Sequence, residues 1–121
     1  MSAFSELHGI SPHVLREGVK ARAVTGERMT LAVVDLEPNA TVPEHKHDNE
    51  QLGFVINGSI TMRVGSEKRV LRAGETYTIP SNVPHEAAAG GEGATVVDVF
   101  APLRGDWAAL KREKPLRGRW P

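Results

Sequence analysis

The segment 41–50 reads TVPEHKHDNE and sets His45 and His47 on either side of one lysine. In an extended strand the two imidazoles would leave the same face with Cα atoms roughly 6 to 7 Å apart, close enough to converge on one divalent ion. A lone His-X-His among Lys, Asp and Glu is more often solvated surface than a metal site, so the pair needs further ligands. Gln51 follows His47 by four residues and shares its parity if the strand runs on without a bulge. Its side-chain oxygen is a neutral, weak ligand, suited to an ion with open positions rather than to a closed structural site. His85, in IPSNVPHEAA, is approached through Pro80 and Pro84 and reads as the first residue of a strand, where it serves equally well as a ligand or as a hydrogen-bonding loop cap. His8 and His13 fall in the polar N-terminal stretch and are expected at the surface.

The elements that must position these residues are short. Runs rich in β-branched residues are expected as strands at 19–24, 28–36, 52–57, 59–64, 68–71, 76–79, 85–88 and 94–100, separated by turn residues at close spacing. Asn57-Gly58, between LGFVI and SITMRV, predicts a two-residue hairpin, because both central residues of a type I′ turn need positive φ. So many strands in 121 residues favour a closed all-β barrel with few free edges. Gly105-Asp106 predicts the cap of a short C-terminal helix over WAALKRE, ending before Pro115. The resulting organisation is an N-terminal extension at 1–17, a barrel at 18–103, and a C-terminal helix and tail at 104–121. The tail is expected to pack Trp120 on the barrel or on a neighbouring subunit.

Composition narrows the chemistry. Fifteen Lys and Arg balance fifteen Asp and Glu, so net charge gives no argument for a nucleic-acid or membrane partner and the expected partner is a small molecule. The absence of cysteine removes disulfides, thiolate nucleophiles and sulfur-ligated zinc, leaving histidine and carboxylate as metal ligands. With no basic start, no long apolar run and no span of bilayer length, the expectation is a soluble, cytoplasmic protein.

The string NATVPEHKHDNEQLGFVING resembles the first motif of the cupin superfamily, a double-stranded β-helix or jelly-roll fold. Asn39 stands at its first Gly position, followed by His45, His47, Gln51 at the Glu position, and Gly58. GETYTIPSNVPHEAAA resembles the second motif through Gly74, Pro80 and His85, with Asn82 in place of Gly and Ala89 in place of Asn. Asparagine tolerates left-handed backbone, so the two Gly replacements are mild. The run from HKHDNEQLGFVING through IPSNVPHEA to VVDVFAPLRGDW is similar to the monocupins of pectin and alginate breakdown, the KdgF family. That resemblance implies an isomerase- or lyase-type ring opening of 4,5-unsaturated monouronates to the linear 4-deoxy-5-keto uronate. It implies His45, His47, Gln51 and His85 as ligands of one divalent transition metal, whether Zn, Ni, Mn, Fe or Cu. It also implies Asp98, Phe100 and Arg104 as residues of catalysis and substrate contact, and a homodimer.

The residues allow more than one account of those roles. Alternation puts Val96, Asp98 and Phe100 on one face of ATVVDVF, and an aspartate among valines is costly unless paired or used. It is an acid/base, the partner of an arginine such as Arg104, or both together. Arg104 itself suits bidentate capture of a substrate carboxylate, or is a surface charge after Pro102. Phe100 is a substrate wall or plain core. Two other functions fit the same fold: a cupin-type metal-dependent dioxygenase, and a non-catalytic module binding a sugar acid or metal. Gln51 in place of the carboxylate weighs against the first, since a neutral ligand does less to favour a higher valence.

Overall fold

The computed structural model describes residues 2–115 and 117–121; Met1 of the expected extension and Leu116 of the expected tail lie outside the described residues. The β-branched runs form eight strands: β1 (His13–Arg16), β2 (Val19–Thr25), β3 (Thr30–Leu36), β4 (Thr41–His45), β5 (Glu50–Val64), β6 (Glu67–Arg72), β7 (Thr76–Ile79) and β8 (His85–Ala101). Every strand pairing is antiparallel. The two long strands belong to both leaves of a folded-over sheet. In one leaf the first half of β5 and the second half of β8 pair with each other, with β7 beside β5 and β3, β2 and β1 beyond β8. In the other leaf the second half of β5 and the first half of β8 are flanked by β6 and β4. This is the jelly-roll barrel expected from the sequence.

The hairpin expected at Asn57-Gly58 is absent: β5 runs straight through it. Gly58 does have positive φ, +73°, but it uses that freedom at a bend where β5 passes from one leaf to the other. Register shifts flank it on both sides, and a Cβ here would overlap the carbonyl of Gly93. The stretch 90–93 likewise lies inside β8 rather than in a turn. Expected strands 52–57 and 59–64 are therefore one strand, as are 85–88 and 94–100. The positive φ of Asn39 (62°) and Asn82 (61°) agrees with their place at glycine positions of the motifs.

The expected C-terminal helix is only a five-residue 3₁₀ turn, Gly105–Ala109. After it the chain is drawn out beside β1, where Arg112 bridges His13 and the Val14 N–H donates to the Lys111 carbonyl. Strand β1 lies within the segment 1–17, so His13 is half-buried rather than at the surface; His8 is exposed. The tail returns across the outside of β2 and β3, where the Trp120 carbonyl accepts from the Arg22 guanidinium. Between the leaves, Val19, Leu36, Val55, Ile60, Ile79 and Val96 pack at 2% exposure or less and form one apolar cluster with Phe100 and Trp107. Several of these residues, Val19, Leu36, Ile60, Val96, Phe100 and Trp107, also wall the cavity described below.

Candidate metal centre and its cavity

Strand β4 ends at His45, so His45 and His47 do not share a strand as their spacing suggests; His47 lies in the bend before β5. Gln51 belongs to β5, where it faces Ile79 and Phe100, and His85 opens β8 opposite His45. The three imidazoles nonetheless converge: their candidate ligand atoms all lie within 4.8 Å of one another. Each ring is aimed in the same way. Nδ1 is 2.9 Å from a backbone carbonyl two residues away, that of Pro43 for His45, Asn49 for His47 and Val83 for His85. Donation of Nδ1–H to those carbonyls fixes the tautomer and leaves each Nε2 lone pair free.

Gln51 completes the group. Its Oε1 lies 3.2 Å from His47 Nε2, and its buried side chain also hydrogen-bonds toward Asp98. Burial, and then the Arg104 charge, hold the pKa of His47 below its ordinary value. Burial pushes His85 down to about 4. Imidazoles held neutral at physiological pH are the form that binds metal. Three convergent Nε2 atoms and one neutral oxygen fit a first-row divalent ion.

Beyond the cluster lies a cavity of about 420 Å³ lined by His45, His85, Gln51, Asp98, Phe100 and Arg104, among others, a size typical of small-molecule sites. Asp98 pairs in register with Gly53 on β5 and is 6% exposed. The arginine pairing considered for it does not occur. Its Oδ1 accepts from the Tyr77 hydroxyl at 2.6 Å, and burial raises its pKa to about 6, against the lowering by the Tyr77 and Gln51 hydrogen bonds and the Arg104 charge. Desolvation, and then Asp98 itself, push the Tyr77 hydroxyl well above its ordinary value, so the phenol keeps its proton and remains the donor.

Arg104 is not a surface charge. Its side chain is 12% exposed and makes two bonds to Asp106, of 3.0 and 2.9 Å. Its guanidinium lies 4.8 Å from the ring centroids of both Phe100 and Trp107. Phe100 in turn meets the His47 ring edge-on with centroids 5.8 Å apart.

Three positioning residues escaped the sequence reading. Tyr77 is the chain's one tyrosine, and the signal for it was Gly53. A glycine inside a strand marks a close approach, and here a Cβ would overlap both the Tyr77 ring and Asp98. Asn49 accepts from His47 through its carbonyl and donates through its side chain to the Pro102 and Leu103 carbonyls, tying the histidine bend to the segment that carries Arg104. Trp107 gave no signal beyond its size.

Residues 32–100 match the Cupin domain family. The pectin degradation protein KdgF of Dickeya dadantii (strain 3937) is 30% identical over 95 residues, which are 77% of this chain and 86% of that protein. Among solved structures, KdgF from Halomonas sp. superposes with a TM-score of 0.80 at 24% identity, over 88% of this chain and 98% of that one. An RmlC-like cupin from Shewanella frigidimarina NCIMB 400 superposes with a TM-score of 0.82 at 23% identity, over 88% and 96% of the two chains.

Proposed function

The chain belongs to the cupin family and resembles KdgF over most of its length, and on that premise we propose that it is a metal-dependent enzyme opening 4,5-unsaturated monouronates to the linear 4-deoxy-5-keto uronate. The observation that carries this reading is the buried Tyr77–Asp98 pair, set in one cavity with His45 and His85 of the three-histidine cluster. A carboxylate near neutrality in its pKa can both take and return a proton, as this isomerisation demands.

The proton leaves the anomeric hydroxyl for Asp98, the aldehyde forms as the ring C–O bond breaks, and the resulting enolate is protonated at C4. No atom is gained or lost overall. Tyr77 holds Oδ1, so the second carboxylate oxygen of Asp98 is the one that moves the proton. Arg104 sets a fixed positive charge beside Asp98 and His47 for the developing enolate, and Phe100 supplies an apolar wall that limits water. A divalent ion on His45, His47, His85 and Gln51 would supply Lewis acidity toward the sugar oxygens, and the neutral Gln51 would leave that acidity undiminished.

The test is to follow loss of the conjugated double-bond absorbance of a 4,5-unsaturated uronate with wild type, Asp98→Ala and a chelator-treated sample. Rapid loss with wild type alone is expected, and a wild type no faster than Asp98→Ala would end the assignment. A homodimer joined through the exposed apolar row of Val24, Leu31, Leu52 and Phe54 belongs to the same reading. Sedimentation of a single monomeric species at micromolar concentration would remove it.

A further inference from the structure

Arg16 is a cation for which the scheme above has no use. It ends the edge strand β1 and lines the main cavity together with its neighbour Leu15. Consecutive residues of a regular strand face opposite sides. Here the register with β2 shifts between Val14 and Arg16, and the half-buried Leu15 and the exposed Arg16 both border the cavity. Irregularities of this kind at a sheet edge re-aim side chains beside binding sites.

The charges around the cavity single out the same residue. Its lining carboxylates are Glu44, Glu86, Asp98 and Asp106, and its guanidiniums are Arg16 and Arg104. Glu44 and Glu86 are both bonded to Arg63, Asp106 is bonded twice to Arg104, and Asp98 accepts from Tyr77. Arg16 makes no ion pair among the described residues. For Arg104 to turn to an incoming anion, it would have to give up two bonds to Asp106 and its place against Phe100 and Trp107. Arg16 has nothing comparable to give up.

We propose that Arg16 receives the carboxylate of the substrate and makes the cavity select sugar acids over neutral sugars, Arg104 being held for the reacting oxygens. The substrate class rests on the uronate reading; the placement of Arg16 does not. A guanidinium and a carboxylate form two parallel charge-assisted hydrogen bonds, and loss of such a pair acts on binding more than on the chemical step.

The experiment uses metal-loaded wild type, Arg16→Met, Arg16→Lys and Arg104→Met, with thermal melts to confirm folding. Ligand-detected NMR titrations compare galacturonate with galactose, and turnover of a 4,5-unsaturated uronate is measured in parallel. Wild type is expected to prefer galacturonate by about 10-fold or more. Arg16→Met should bring that ratio close to one and raise KM about 10-fold, with kcat changed by less than about 3-fold, and Arg16→Lys should recover part of the preference. Preference retained in Arg16→Met, lost only in Arg104→Met, or absent from wild type would overturn the proposal. Should wild type prefer galacturonate through Arg16 yet turn over no unsaturated uronate, the enzymatic reading fails and the carboxylate site stands.

Discussion

Across the leaf built on β3, β8 and β5, the face turned to the cavity carries Gln51, Tyr77 and Asp98, each less than a tenth exposed, while the outward face carries Val24, Leu31, Leu52 and Phe54, each more than two-fifths exposed. A one-sided antiparallel sheet ordinarily buries apolar groups, and here the three polar residues share their face with Ala32, Val34, Ile79, Val96 and Phe100. The cavity face keeps its polar groups because each finds a partner there: Tyr77 for Asp98, and Asp98 for Gln51. Unpaired, each would be costly to bury. The outward row adds little to the core and is free to serve contacts outside the barrel.

Substitutions on the two faces should therefore differ in kind. His85→Ala is expected to have the largest effect, removing one of three Nε2 atoms and reducing both metal retention by elemental analysis and turnover to background. Retention of stoichiometric metal would show that the cluster does not bind as its geometry implies. Asp98→Asn should keep the metal and lose about 100-fold or more in kcat. Gly53→Ala comes next, since its Cβ would press on Tyr77 and Asp98 together; a stability loss of about 1 to 3 kcal/mol in urea denaturation is expected, with reduced kcat. Leu52→Ser and Phe54→Ser, on the same strand but the opposite face, should change stability by less than about 0.5 kcal/mol and leave kcat intact. A fall in kcat matching that of Gly53→Ala would break the comparison.

The sequence made the residues that could bind metal far more legible than the contacts that position them. His45, His47 and His85 could be found because ligands demand specific side chains, and β7 could be bounded because Thr76–Ile79 is flanked by Gly74 and Pro80. Asn57-Gly58 misled because positive φ serves a hairpin and a bend equally well; what decides between them is the partner strand, β8, some thirty to forty residues away. Tyr77 drew no reading, since alternation in TYTI only puts it on the same face as Ile79, and its contact with Asp98 exists only once β7 and β8 lie on either side of β5. Arg16 could not be found at all, because a register shift against β2 exists only once the strands pair.

The smallest predicted effect sets His13 against the site histidines. Their Nδ1 atoms all meet carbonyls, whereas the Nδ1 of His13 is buried without a partner among the described residues. Burial and then the Arg112 charge lower its pKa. The unfolded imidazole therefore takes up a proton that the folded one resists, and stability falls as pH drops below about 6.5. Denaturation midpoints compared at about pH 5 and pH 8 should show a slightly smaller difference in His13→Gln than in wild type.

Strands β5 and β8 stay hydrogen-bonded to each other through both leaves, so neither leaf can lift away alone to admit a ligand. Any breathing must begin at the strands that pair with a single neighbour, β1, β4, β6 and β7. Amide exchange in such a molecule divides into two tiers, with the central pair opening only on global unfolding and the edges through smaller excursions. His45 and Arg16 ride on the faster tier, while Gln51 and Asp98 belong to the slower one. Residues at the entrance can thus fluctuate without disturbing those that would move the proton.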